Sequence, residues 1–171
     1  MHATLRPYRP DDFDRLFEID RACYPPGIAY SRRMLRSFLE WPGAECIVAE
    51  VESTDVESAE AAASPAAEPA PAIAAFIITE SDALRGHILT IDVLDAHRRR
   101  GLGSALLRRA EQSLFSRGVR TIELETATGN KTAVAFWQKH GYRTRGLLKR
   151  YYLGRDDAFA MTKRLTKTHS R

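Results

Sequence analysis

The apolar positions of this chain change period along its length, and the changes mark its elements. Residues 3–9 (ATLRPYR) alternate as a short strand that Pro10 ends. Phe13, Leu16, Phe17 and Ile19 then fall at helical spacing behind Asp11 and Asp12, two acids placed where a helix start favours them. Tyr24-Pro25-Pro26-Gly27 forces a loop. Ser31 is placed to cap a second helix carrying Met34, Leu35, Phe38 and Leu39, which Pro42-Gly43 ends. Residues 46–51 (CIVAEV), 72–80 (AIAAFIITE) and 87–93 (HILTIDV) read as strands. Residues 101–117 carry Leu102, Ala105, Leu106, Ala110 and Leu114 along one stripe of a long helix, with Gly118 as its stop. A strand at 121–126 (TIELET) and a helix at 132–140, ended by Gly141, come next. Short strands at 142–145, 151–153 and 158–164 follow. The order β-α-α-β-β-β-α-β-α-β-β predicts an α/β fold with layers of helix around a central sheet.

Residues 51–71 interrupt the rhythm. They are mostly Ala, Glu, Ser and Pro, with almost no large apolar side chain, and read as a flexible insertion between strands. The alanines of residues 56–63 leave a short helix as the alternative. Residues 1–165 are therefore expected to form one domain, with a loose polar tail at 166–171.

Composition narrows the function. Hydrophobic residues make up 44% of the 171 positions, enough for a core without covalent staples. The two cysteines, Cys23 and Cys46, form neither a disulfide framework nor a CxxC, and no His/Cys cluster has ligand spacing. A cytoplasmic protein without a metal is expected. No apolar run is long enough to span a bilayer, and the N-terminus lacks the apolar stretch of a signal peptide, so no membrane partner is expected. The net charge is +4, but Glu52, Asp55, Glu57, Glu60 and Glu68 lie within residues 51–71, which leaves about +9 on the remainder. Such a body suits an anionic ligand.

The anion has an evident place. At residues 91–104 (IDVLDAHRRRGLGS) a strand runs into a turn with two glycines that opens the long helix. Glycine lets a backbone approach a ligand closely. Amides at a helix start favour phosphate, and arginine adds charge-assisted contacts. A solvated arginine face is the plainer reading of Arg98-Arg99-Arg100. Two nucleotide motifs are excluded: positions 101, 103 and 106 read Gly, Gly, Leu rather than G-x-G-x-x-G, and no Gly-Lys-Ser/Thr follows.

Arg98-x-x-Gly101-x-Gly103 matches the Q/R-x-x-G-x-G/A signature of the GNAT superfamily of N-acetyltransferases, and the chain resembles that family over nearly its whole length. The segments LETATGN-x-x-AVAFWQKHGY (124–142) and KRYYLGRDDAFAM (149–161) resemble the RimI-type and related N-terminal protein acetyltransferases most. The resemblance implies a mixed, twisted sheet of about seven strands with about four helices, and acetyl-CoA as cosubstrate. It implies that Arg98 and the amides of Arg99, Arg100, Gly101, Leu102, Gly103 and Ser104 hold the CoA diphosphate. The strand holding Ile91 and Val93 would bind the pantetheine arm, with the Val93 N–H polarising the thioester carbonyl. Asn130 matches a CoA-contacting asparagine; capping the following helix is its ordinary role.

Acyl transfer to an amine needs a base, and the thiolate that leaves needs a proton or a hydrogen-bond donor. By resemblance Glu125 is the base; a solvated strand residue is the alternative. His87 begins the strand before the glycine turn, at a place where some relatives carry a base, and histidine titrates near neutrality. A surface histidine is the plainer reading. The family's general-acid tyrosine is replaced by Trp137, whose indole N–H donates a hydrogen bond but gives up no proton. Tyr152, with Tyr151 beside it on a hairpin over the acceptor, is the substitute candidate; packing of the hairpin is the alternative. Ile28 and Tyr30, in the loop between the first two helices, would line the acceptor site, or merely pack on those helices.

The expected partners are acetyl-CoA and an amine acceptor, a protein N-terminus first and a small-molecule amine or lysine second. The protein itself is expected as a monomer or homodimer. A non-enzymatic RNA-binding module is the distant alternative, but no nucleic-acid motif is present, so no nucleic acid is expected.

Overall fold

The structure is a computed structural model that describes residues 3–52 and 72–166. The insertion expected over residues 51–71 and the expected tail lie almost entirely outside these residues. The elements are β1 (Ala3–Pro7), α1 (Phe13–Cys23), α2 (Arg32–Glu40), β2 (Glu45–Val51), β3 (Ala72–Asp82), β4 (Arg85–Val93), α3 (Leu102–Ser116), β5 (Thr121–Ala127), α4 (Lys131–Lys139), β6 (Arg143–Tyr152) and β7 (Asp156–Arg164). The seven strands form one mixed sheet in the order β1-β2-β3-β4-β5-β7-β6, antiparallel except for the β4–β5 pair.

The two faces of the sheet carry separate cores. On one face, Leu102, Leu106, Ala110 and Leu114 of α3 and Trp137 of α4 pack on Ile77, Ile88, Ile122 and Leu124. On the other, Phe13, Leu16 and Ile19 of α1 and Leu35 of α2 pack on Val48, Phe76 and Ile78. Alternation along the strands produces this division, because successive side chains leave opposite faces. Helix α2 buries only Leu35 fully. The guanidiniums of Arg32 and Arg36 cover the Phe13 ring at 5.1 and 4.6 Å, which extends a narrow contact.

Helix limits follow the expected signals. Ser31 Oγ accepts from the Met34 N–H at 3.2 Å. Gly118 and Gly141 take positive φ just beyond α3 and α4. A 3-10 turn at Pro10–Asp12 precedes α1, so Asp11 and Asp12 lie before the helix rather than in its first turn. The two short strands expected at 142–145 and 151–153 are one strand, β6. Register shifts between Thr144 and Gly146 and between Leu148 and Tyr152, with Arg150 at φ 53°, break the alternation that the sequence would otherwise display.

Two irregularities in β4 open the site. A register shift opposite Ile78 and Thr79 adds Leu89 to β4 without a partner on β3, a bulge that bends the strand. Just before it, after His87, β4 leaves β5: their parallel pairing covers only Arg85–His87 with Thr121–Glu123. A cleft therefore divides the middle of the sheet.

Candidate active site

One edge of the cleft is the backbone of β4. The Leu94 N–H donates to the Ala74 carbonyl at 3.0 Å, and Val93 faces Ala75. Because antiparallel ladders alternate bonded and non-bonded pairs, the main-chain groups of Ile91 and Val93 point away from β3, into the cleft. The Val93 carbonyl is already held there, by Arg98 Nε at 3.0 Å and the Cys23 thiol at 3.4 Å. Arg98 also pairs with Asp95 at 3.1 Å, so its guanidinium braces the turn.

The turn after β4 suits an anion. Arg99 and Gly101 both take left-handed φ, 59° and 88°, and successive amides in such a turn converge on a common point. The helical ladder begins with the Ala105 N–H donating to the Gly101 carbonyl at 2.9 Å, which leaves the amides of Leu102, Gly103 and Ser104 ahead of it. A Cβ on Gly101 would meet nothing within 4 Å, so the space above the turn is open. A Cβ on Gly103 would touch the Phe136 ring at 3.5 Å. Leu102 sends its side chain into the core, so only its backbone is available. Asn130 caps α4, its Oδ1 accepting from the Ala133 N–H at 3.0 Å; the amide nitrogen is not used in that bond. These residues fit a diphosphate ligand.

The opposite face of the sheet carries titratable groups. His87 Nε2 lies 2.7 Å from Glu125 Oε2, and His87 Nδ1 lies 3.7 Å from Glu80. Both nitrogens thus face carboxylates. Burial works against the charged imidazole, but the Glu125 hydrogen bond and the charges of Glu125, Glu80 and Glu123 outweigh it, so the His87 pKa is raised. The Tyr152 hydroxyl donates to the Glu125 carbonyl at 3.4 Å, and burial pushes its pKa up to about 12. Tyr151 packs edge-on against Tyr152 at 5.0 Å and remains half-exposed. Glu123 and Glu125 line a hollow of about 340 Å³ with Arg145, Gly146 and Thr162, and Arg145 pairs with Glu123 at 2.9 Å.

The loop between α1 and α2 closes this face. Tyr30 is fixed at both ends: its N–H donates to Asp20 Oδ2 at 2.8 Å and its hydroxyl to the Leu89 carbonyl at 3.1 Å. Gly27, at φ 93°, meets the hairpin after β6, since a Cβ there would lie 3.3 Å from Leu153 Cδ1. Loop and hairpin therefore touch. Ile28 follows Gly27 in a turn tied by its N–H to the Pro25 carbonyl at 3.1 Å.

Beneath the loop lies a buried polar group that the sequence reading did not single out. The Thr90 hydroxyl donates to Asp92 Oδ1 at 2.7 Å, and the Tyr24 hydroxyl lies 3.5 Å from Thr90 Oγ1. Asp92 is 1% exposed and Asp20 is fully buried, and each has one carboxylate oxygen without a hydrogen-bond partner among the described residues. Burial pushes Asp92 up to about 7 and Asp20 up to about 6. The signal was an aspartate inside the apolar run ILTIDVL, where a charge has no evident reason to be. Trp137, at the place of the expected acid, is buried and packs edge-on against Phe136 and Tyr142, at 5.0 and 5.3 Å.

The chain is 34% identical over 93 residues to an uncharacterized N-acetyltransferase of Methanocaldococcus jannaschii, which covers 54% of this chain and 60% of that relative. It is 35% identical over 92 residues to the ribosomal protein bS18–alanine N-acetyltransferase of Escherichia coli, covering 52% of this chain and 62% of that protein. The chain thus spans about three fifths of the length of the curated relatives it matches. Among solved structures, a chain from the crystal structure of the NatC complex bound to Gag peptide and CoA shares the fold. Its TM-score is 0.76 at 24% identity, over 97% of this chain and all of that one. The family model for the acetyltransferase (GNAT) family matches residues 13–142. With a divided sheet, a glycine turn at the cleft and this match across most of its length, the chain belongs to the acetyltransferase (GNAT) family.

Proposed function

We propose that this protein transfers an acetyl group from acetyl-CoA to a primary amine, with a protein N-terminal α-amino group as the favoured acceptor, by direct attack within a ternary complex. The observation that carries this reading is the His87–Glu125 pair at 2.7 Å, placed where β4 and β5 separate and roofed by the loop and hairpin. Acetyl-CoA supplies the activated thioester. The amides of residues 99–104 bind its diphosphate, the Ile91 and Val93 backbone aligns the arm along the cleft, and the Val93 N–H polarises the carbonyl.

An α-amino group has a pKa of roughly 7.7–8.0, so the base removes its proton at modest cost. Glu125 and His87 accept that proton as one unit. When both are charged, the pair has no further capacity near neutrality. When His87 is neutral, the pair takes one proton from the amine. Glu80, 3.7 Å from the other nitrogen, adds only its charge. Tyr152 retains its proton at neutral pH and, by turning it from the Glu125 carbonyl, can donate a hydrogen bond to the departing sulfur. The name of the Escherichia coli relative, an alanine N-acetyltransferase, supports an N-terminal acceptor.

Trp137 favours a second acceptor class, a small-molecule amine or lysine, because N-terminal enzymes of the RimI type carry tyrosine there. The test is acetyl-CoA turnover on Ala- and Met-starting peptides beside polyamines, free amino acids and lysine peptides. Turnover confined to free N-termini supports the proposal. Turnover only on small amines or lysine moves the acceptor to the second class, and none on any amine ends the reading.

A further inference from the structure

His140 ends α4 with its Nε2 2.8 Å from Ser104 Oγ. Its ring tilts against Phe136, with centroids 4.7 Å apart, and Phe136 in turn covers Gly103. Two residues one turn apart on α4 thus clamp two successive residues at the start of α3. Ser104 is one of the residues whose amide precedes the helical ladder, so it belongs to the turn assigned to the diphosphate. We propose that His140 is a positioning residue for that anion: its imidazole orients the Ser104 hydroxyl and makes diphosphate binding proton-linked. This inference rests on the reading of residues 98–104 as the cofactor site.

The chemistry follows from donor and acceptor roles. A neutral imidazole can use Nε2 as an acceptor, which directs the serine proton at the ring and away from the ligand. A protonated imidazole can only donate. Ser104 Oγ then accepts from the ring, and its own proton is free for a phosphate oxygen. The charged ring also adds a positive charge beside the turn. The groups facing His140 are Ser104, Arg108 and Glu111 from α3, Lys163 from β7 and its own neighbour Lys139. Lys163 is tied to both oxygens of Glu111 at 2.7 Å. Burial keeps the ring's pKa below the ordinary value; Glu111 opposes this, and Lys163, Arg108 and Lys139 reinforce it. The ring is neutral at neutral pH, and a bound diphosphate draws a proton onto it.

The test is titration calorimetry of the full chain with dephospho-CoA, in buffers of different ionisation enthalpy between about pH 5.5 and 8. This probe keeps the diphosphate and lacks the phosphate monoester of CoA, which itself titrates near pH 6. Wild type should bind about three- to tenfold tighter at the acidic end, with net proton uptake. His140→Gln keeps a hydrogen-bonding group and loses the titration, so its affinity should be nearly independent of pH, with no uptake. Ser104→Ala, a milder change to the packing, should weaken binding more at pH 5.5 than at pH 8. Identical pH profiles and proton uptake in wild type and His140→Gln would overturn the inference alone. Absence of binding by the folded wild type at every pH would overturn the cofactor-site reading, and the inference with it.

Discussion

His87 and Glu125 stand 2.7 Å apart on adjacent strands where those strands part: His87 is the last β4 residue paired with β5, opposite Glu123, and Glu125 lies two residues beyond that pair. The sheet brings the two residues proposed to act as the base together and opens beside them. Burial alone would lower the His87 pKa, but the Glu125 hydrogen bond and charge outweigh it, so His87 holds its proton to a higher pH than an ordinary imidazole. If the pair must be singly deprotonated to act, kcat/KM should rise with pH through that raised value. Glu125→Gln should lower the plateau by about 10²- to 10⁴-fold. It should also move the remaining limb to lower pH, because the negative charge that holds the proton is gone. A pH–rate profile unchanged in both height and position would remove Glu125 from the reaction.

Gly101 holds φ at 88° in open space, so a side chain there meets no neighbour and its cost is conformational, about 1–2 kcal/mol. Gly101→Val should therefore stay folded while the turn relaxes and CoA binding falls by at least tenfold. Circular dichroism and calorimetry together check this. Undiminished CoA affinity in the folded variant would separate the turn from the cofactor.

Asp92 is a carboxyl whose folded-state pKa, about 7, lies above its ordinary 3.8. Its contribution to stability is fully present below the unfolded value and is lost as pH rises to the folded one. Asp92→Asn keeps an acceptor for the Thr90 hydroxyl and removes the charge. Relative to wild type, its melting temperature should climb between pH 4 and 7 and then level off, with a gain of a few kcal/mol at the plateau. A difference independent of pH would mean that Asp92 is not the group that titrates.

Leu153 joins the hairpin to the α1–α2 loop at Gly27. Leu153→Ala should raise KM for the acceptor several-fold through lost contact and loosened walls, and leave CoA affinity unchanged. Equal losses for both ligands would point to a general structural defect instead.

The sequence carried the order of elements, the glycine turn and the catalytic candidates, because each depends on local period or on a few adjacent residues. Ser31 capping α2 and Gly118 ending α3 are of this kind. What it did not carry depends on register. Leu89 lacks a partner because β3 and β4 slip past each other, and β6 read as two fragments because its register shifts twice. The same bulge puts the side chains of Leu89 and Thr90 toward one face. Pairings between distant elements were equally hidden: nothing in the spacing of Ser104 and His140, or of Gly27 and Leu153, indicates that they meet. Glu125 was legible as a candidate, but its distance to His87 was not.

The separation of β4 from β5 also governs where the molecule is softest. Interior strands normally exchange their amide hydrogens last, since both neighbours shield them. Here the protons on Ile91 and Val93 belong to a central strand yet face a gap, so they should exchange with deuterium as fast as those of a frayed rim. A molecule lodged in that gap would act as the missing neighbour, and the slowing of these two amides would report its arrival without any turnover being measured.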